Sequence, residues 1–242
     1  MTDANVPSDG WFTRSIGLTL LGGRTSQEDI VFHDDASGLF AVMDGMDGRE
    51  AAERCRDVLV REGKRPTREL GSANTSSIAT MRQSILAFCE AASSPGSCTS
   101  TTLAMLRRIG GVVGVAHVGN CRVYRLRHAH LTQLTRDHTI AYVRPGQSAP
   151  PAGMRGRDIL LRALGVGLDG TPTEIVEHVE SGDRFLLCTD GVHDVLRDDA
   201  IARALSGGAR PWHAATRLLD TIEEAGGSDN VGIVVVDFFP ST

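Results

Sequence analysis

The chain has 242 residues, 41% of them hydrophobic, and a formal charge of −5. That length fits one large domain or two small ones and allows a core of useful size. The mild acidity, with no long basic block, argues against duplex nucleic acid as a main partner, because backbone binding needs clustered Lys and Arg.

No apolar run approaches the roughly 20 residues needed to span a bilayer. Met1 to Gly10 is polar and lacks a basic-then-apolar leader pattern. The expectation is a cytoplasmic protein with no membrane contact. The five cysteines, Cys55, Cys89, Cys98, Cys121 and Cys188, are scattered and form no C-x-x-C pair. They are expected as reduced thiols in or near the core, not as a disulfide framework or a zinc site.

In chain order, residues 1–15 are expected as a tail and 16–240 as a single domain. Leu39 to Met43 is a short apolar strand that ends in Asp44-Gly45. Ala51, Ala52, Cys55, Val58 and Leu59 share one helical face. An irregular stretch runs from Arg61 to Ser77, and a second helical face follows with Ile78, Met81, Ile85, Leu86 and Cys89. Gly111 to Val118 is a Val-rich strand closing at Gly119-Asn120, and Arg122 to Leu126 reads as the second arm of a hairpin around that turn. Between Val143 and Arg157, Pro145, Gly146, Pro150, Pro151 and Gly153 break regular structure and mark a candidate surface flap. Arg184 to Thr189 is a strand ending in Asp190-Gly191. Ala214, Ala215, Leu218, Leu219 and Ile222 form a third helical face. Val231 to Phe239 is a β-branched and aromatic strand that begins just after Asp229-Asn230. Strands come in adjacent pairs between helix pairs. That order predicts an α+β fold, antiparallel sheets flanked by helices, and not a doubly wound parallel sheet.

The acids carry the chemical information. Glu28-Asp29 opens an apolar run, Asp44 and Asp190 each follow a strand, and Asp229 precedes one. Taken singly, Asp-Gly after a strand is an ordinary turn and Glu-Asp an ordinary cap. Gathered at one rim, such carboxylates repel unless cations lie between them. Hard divalent ions such as Mg²⁺ or Mn²⁺ take oxygen ligands, and two of them can activate a bridging water for in-line attack on phosphorus.

The order of these motifs resembles the protein phosphatase type 2C family, the metal-dependent serine/threonine protein phosphatases, and in particular its compact bacterial members. Gly23 to Asp29 resembles the opening motif, with Arg24 four residues before Glu28. Phe40 to Met46 resembles the second motif. Ser100-Thr101-Thr102-Leu103, Val115 to Arg122 and Leu134 to Thr139 follow, then Arg162 to Gly165, Gly182 to Val192 and Ser228 to Val231. The resemblance spans Gly22 to about Asp237.

The resemblance implies a sandwich of two antiparallel β-sheets with helices on both outer faces. It implies two Mn²⁺ or Mg²⁺ ions, with Asp44 bridging both, the Gly45 carbonyl on one, and Asp190 and Asp229 completing the other shell. It makes Asp29 the acid that orients metal-bound water, with Glu28 beside it, and Arg24 the grip on the substrate phosphate. A surface ion pair with Glu28 is the plain alternative for Arg24. The implied substrates are phosphoserine and phosphothreonine proteins, with a cognate Ser/Thr protein kinase as a partner, and the chain is expected as a monomer.

Three positions depart from the family pattern. Asp47 stands where Gly is usual after Asp-Gly-Met. Ser100 replaces a Gly. Asn120 replaces an Asp that helps hold a third, weaker cation, so any third site here is weak. Asn120 could equally be a turn residue at positive φ. Alternatives that share the fold are a pseudophosphatase binding module and a regulatory phosphatase dedicated to one small phosphoserine partner. An unrelated histidine-based hydrolase is disfavoured, since His33, His117, His138 and His193 make no H-x-H or H-E-x-x-H pattern.

Overall fold

The computed structural model describes residues 10–46, 48–63, 99–140, 159–165, 169–207 and 210–241. The strands are β1 (Trp11–Leu20), β2 (Ile30–Asp34), β3 (Leu39–Met43), β4 (Gly45–Met46), β5 (Ser100–Thr101), β6 (Leu103–Ile109), β7 (Val112–Val118), β8 (Arg122–Arg127), β9 (His130–Gln133), β10 (Leu164–Gly165), β11 (Thr173–His178), β12 (Arg184–Cys188) and β13 (Val231–Pro240). The helices are α1 (Glu50–Gly63), α2 (Asp190–His193), α3 (Asp198–Ser206) and α4 (Pro211–Glu224).

Two five-stranded antiparallel sheets face each other. One has the order β1-β13-β12-β8-β9 and the other β11-β7-β6-β3-β2; a small sheet, β10-β5-β4, lies apart. The sandwich core is a cluster from both inner faces, including Phe40, Val42, Leu106, Val115, Phe185, Val234 and Phe238. The outer faces are also apolar. Met43, Leu103 and Met105 pack under Ala52, Cys55 and Leu59 of α1. Leu186, Ile233 and Val235 pack under Ile201, Leu205, Leu218 and Ile222 of α3 and α4. A sheet covered on both faces buries its inner strands at every residue, as in β3 and β12, where the one charged residue, Arg184, is paired with Asp237.

The α+β expectation, two antiparallel sheets with helices on both outer faces, therefore holds. α1 and α4 carry the residues expected on their buried faces, and α4 opens on Pro211, whose missing N–H is harmless in a first turn. Cys55, Cys121 and Cys188 are free and buried. Among the described residues, no helix is long and apolar enough to cross a membrane.

Two expectations differ. β7 and β8 do not form a hairpin: β7 pairs with β6 and β11, and β8 pairs with β12 and β9. Gly119 to Cys121 crosses from one sheet to the other, and Cys121 lies in the core between them. The positive φ at this crossing belongs to Gly119 (φ 98), not to Asn120. A Cβ on Gly119 would stand 2.5 Å from a Thr102 methyl. Second, the expected tail reaches too far, since Trp11 to Ser15 pair with Val236 to Pro240 in β1–β13. The 143–157 segment, the Ile78–Cys89 face and Asp47 lie outside the described residues, as does most of the irregular Arg61–Ser77 stretch.

Candidate functional site

Strand register brings the acids to one rim. β1 and β13 pair over ten residues, from Trp11 with Pro240 to Leu20 with Val231. The chain leaving β1 must then run beside the chain entering β13, which places 21–29 against 228–230. The Gly23 N–H donates to the Ser228 carbonyl at 3.0 Å. Ile30 pairs with Met43, so Asp29 and Asp44 end adjacent strands of the other sheet. Cys188 pairs with both Ile233 and Arg122, so Asp190 and Asn120 reach the same edge.

The result is a cavity of about 460 Å³ lined by Arg24, Glu28, Asp44, Gly45, Asp190 and Asp229, with Asn120 and Leu160 also on its wall. Asp29 is buried behind them, 2% exposed, where Thr189 Oγ1 donates to its Oδ2 at 2.7 Å. Asp44 is held by its backbone: its carbonyl accepts from the Thr102 N–H and the Thr101 hydroxyl, and its N–H donates to Thr102 Oγ1. Arg24 reaches across the rim and donates to Asp229 Oδ2 at 2.8 Å, not to Glu28. Glu28 accepts instead from the Ser26 hydroxyl at 3.3 Å. Asn120 Nδ2 donates to Asp190 Oδ2 at 2.8 Å, and His193 Nε2 donates to the Asn120 carbonyl at 3.0 Å.

So many acids in one place make proton loss costly. Burial pushes Asp44 well above the usual carboxylate range, and the charges of Asp190, Asp29 and Asp229 push it further. Asp29 is raised to about 7, first by burial, with the Thr189 hydrogen bond pulling the other way. Asp190 is also raised, chiefly by burial. Asp229 strengthens the hold of Arg24 on its proton, by hydrogen bond and then by charge.

These residues suit divalent cations. The donor set is all oxygen and converges on one cavity, and burial together with neighbouring carboxylates raises Asp29, Asp44 and Asp190. No three His, Cys, Asp or Glu side chains among the described residues stand ready around one point. The reason is visible in the contacts: Asp229 is turned to Arg24, Asp190 to Asn120 and Asp29 to Thr189.

The model of the family described as protein phosphatase 2C matches residues 9–144 of the 242. This chain belongs to the protein phosphatase 2C family. It is 30% identical over 223 residues to the serine/threonine protein phosphatase PstP of Mycobacterium tuberculosis, covering 88% of this chain but 42% of that protein. The chain thus spans less than half the length of this curated phosphatase 2C relative. It is 25% identical over 237 residues to the serine/threonine phosphatase stp of Listeria monocytogenes, covering 88% and 94%. Among solved phosphatases, the Mycobacterium tuberculosis PstP/Ppp superposes with a TM-score of 0.76 at 29% identity, covering 95% of this chain and all of that one. The PstP catalytic domain in complex with two manganese ions gives 0.75 at 28%, covering 95% and 99%.

Within this phosphatase 2C scaffold the structure also draws in residues to which the motifs assigned no role. Thr189 holds Asp29, and Arg122 forms a two-pronged pair with Asp137 at 2.9 and 2.7 Å behind the Asn120 crossing. Asn230 joins the loop of Arg24 to the strand of Asp229. All three sit inside quoted motifs, but a polar side chain in a motif does not say which distant group it will meet.

Proposed function

We propose that this chain is a metal-dependent serine/threonine phosphoprotein phosphatase that uses manganese or magnesium. The observation that carries this reading is the convergence of Asp44, Asp190 and Asp229, from three separate stretches of chain, on one cavity with an arginine at its edge and Asp29 buried behind them. The likeness to PstP, solved with two manganese ions, supports it.

Asp44, Asp190, Asp229 and the Gly45 carbonyl would hold the ions. When bound, two such ions supply the charge that activates water at neutral pH and stabilises an in-line displacement at phosphorus. The chain does the rest. Arg24 is 60% exposed and rooted in a loop, so it can leave Asp229 for an arriving phosphate. Its planar fork matches two phosphate oxygens. Positive charge at the rim lowers the proton affinity of the acids, so Asp29 takes part as a fixed acceptor, oriented by Thr189. Glu28 faces the cavity beside it. The substrates on this reading are phosphoserine and phosphothreonine proteins.

The test is release of phosphate from a phosphoserine peptide with Mn²⁺ or Mg²⁺ and with chelator. Activity is expected only with metal, and Asp44→Asn is expected to lower turnover by about a hundredfold or more. Turnover that survives chelator, or a fully active Asp44→Asn enzyme, rejects the reading.

A further inference from the structure

We propose that Asn230 is the positioning residue for Arg24, a side-chain staple that closes the 21–28 loop and holds the arginine over the metal rim. The inference rests on the phosphatase reading, because that reading gives Arg24 its phosphate.

Asn230 is buried, 6% exposed, and all its side-chain polar atoms are engaged. Its Oδ1 accepts from the Glu28 N–H at 2.9 Å, and its Nδ2 donates to the Leu21 carbonyl at 2.8 Å. Only one amide orientation satisfies an N–H on one side and a C=O on the other. The two contacts lie seven positions apart in sequence, at opposite ends of the loop that carries Arg24 and Ser26. The Asn230 N–H donates to Asp229 Oδ1 at 2.7 Å. One residue therefore ties three things: the start of the loop, its end, and the carboxylate that Arg24 meets.

The chemistry calls for an amide. Aspartate would keep an acceptor for Glu28 but set a carboxylate oxygen against the Leu21 carbonyl. A serine is too short to span both. Pulling out the staple leaves a backbone donor and a backbone acceptor without their partner and frees the loop. Gly23 N–H to Ser228 and Gln27 Nε2 to the Leu20 carbonyl at 2.9 Å remain, so the loop loosens without detaching. A phosphate grip displaced by an ångström loses much of its value.

The test is a double-mutant cycle on phosphoserine peptide turnover, with amide hydrogen exchange at Glu28 measured alongside. Asn230→Ala is expected to raise KM about tenfold when Arg24 is present, with a smaller change in kcat. In an Arg24→Ala background the same substitution is expected to change KM less than about twofold. Exchange at Glu28 should quicken in Asn230→Ala and stay slow in Asn230→Asp, which is expected to show an intermediate KM. Equal KM ratios in the two backgrounds would mean that Asn230 does not act through Arg24. Unchanged Glu28 exchange in Asn230→Ala would mean that it is no staple. Both results overturn the proposal. Absence of turnover in the wild type, with either metal, instead overturns the phosphatase reading and the phosphate half of this one, while exchange at Glu28 still decides the staple.

Discussion

Arg24 and Asp229 meet at 2.8 Å across 205 positions of sequence. On the proposed reading this carboxylate meets a metal ion and this guanidinium a phosphate, so both roles compete with the contact between them. Arg24→Ala is expected to raise KM for a phosphopeptide about tenfold. It should also tighten Mn²⁺ binding, because Asp229 loses a competing cation. Both partners are well exposed, so the melting temperature should hardly move. Calorimetric Mn²⁺ titration and steady-state kinetics check this; an unchanged KM would leave Arg24 a surface ion pair.

Asp29 gives the metal-free protein a pH dependence of known sign. Its folded value is raised to about 7 from an ordinary 3.8, so the folded state binds the proton more tightly than the unfolded chain. That contribution to stability is fully present below about pH 4 and is lost as pH rises towards 7, by at most about 1.4 kcal/mol per pH unit for the group. Asp44 and Asp190 shift the same way. Between pH 4 and 7 in chelator, wild type should lose stability relative to Asp29→Asn. Added Mn²⁺ should stabilise wild type more at pH 7 than at pH 5. Melting curves at both pH values decide it. A gap between the two proteins that stays constant with pH would contradict the assignment.

Asn120 donates to Asp190 at 2.8 Å. Asn120→Asp replaces that N–H with a second carboxylate oxygen, and the resulting repulsion is relieved only by a proton or a cation. In chelator at pH 7.5 the variant should melt lower than wild type. With Mn²⁺ it should reach half-maximal activity at a lower metal concentration, by about threefold or more. Activity against Mn²⁺ concentration is the measurement, and an unshifted curve would argue that no further cation enters there.

Gly191 follows Asp190 at the start of α2, where a Cβ would lie 2.0 Å from the Asn230 carbonyl oxygen. Backbone, not a flexible side chain, blocks the way. Gly191→Ala should destabilise by about 1–3 kcal/mol and, by pushing the α2 start from β13, weaken metal binding as well. Denaturant melts and Mn²⁺ titration test both effects. A variant with wild-type stability would show that the α2 turn can move freely.

Much of the fold was legible in the sequence because burial on two faces leaves a plain mark. β3 is an apolar run, β12 and β13 are apolar but for Arg184 and Asp237, and α1 and α4 repeat apolar residues at helical spacing, so their existence follows from local pattern. Each acid of the cavity rim could be found as well, since each abuts such a run. The crossing at Gly119 to Cys121 was not legible. A turn between two strands looks the same whether they pair with each other or enter opposite sheets, and only the tertiary strand pairing, with Cys121 packed between the sheets, separates the cases.

What the sequence determined by itself was the family, the α+β sandwich and the identity of the acids, because these reside in residue type and order along the chain. What the tertiary structure alone decided was which group meets which. Arg24 turned to Asp229 and not to Glu28, Asn120 to Asp190, and Asn230 to both ends of the 21–28 loop. The physical reason is register. Ten paired residues of β1 and β13 carry one end of the chain to within a hydrogen bond of the other, and hydrogen bonds are set by a few tenths of an ångström that no linear pattern encodes.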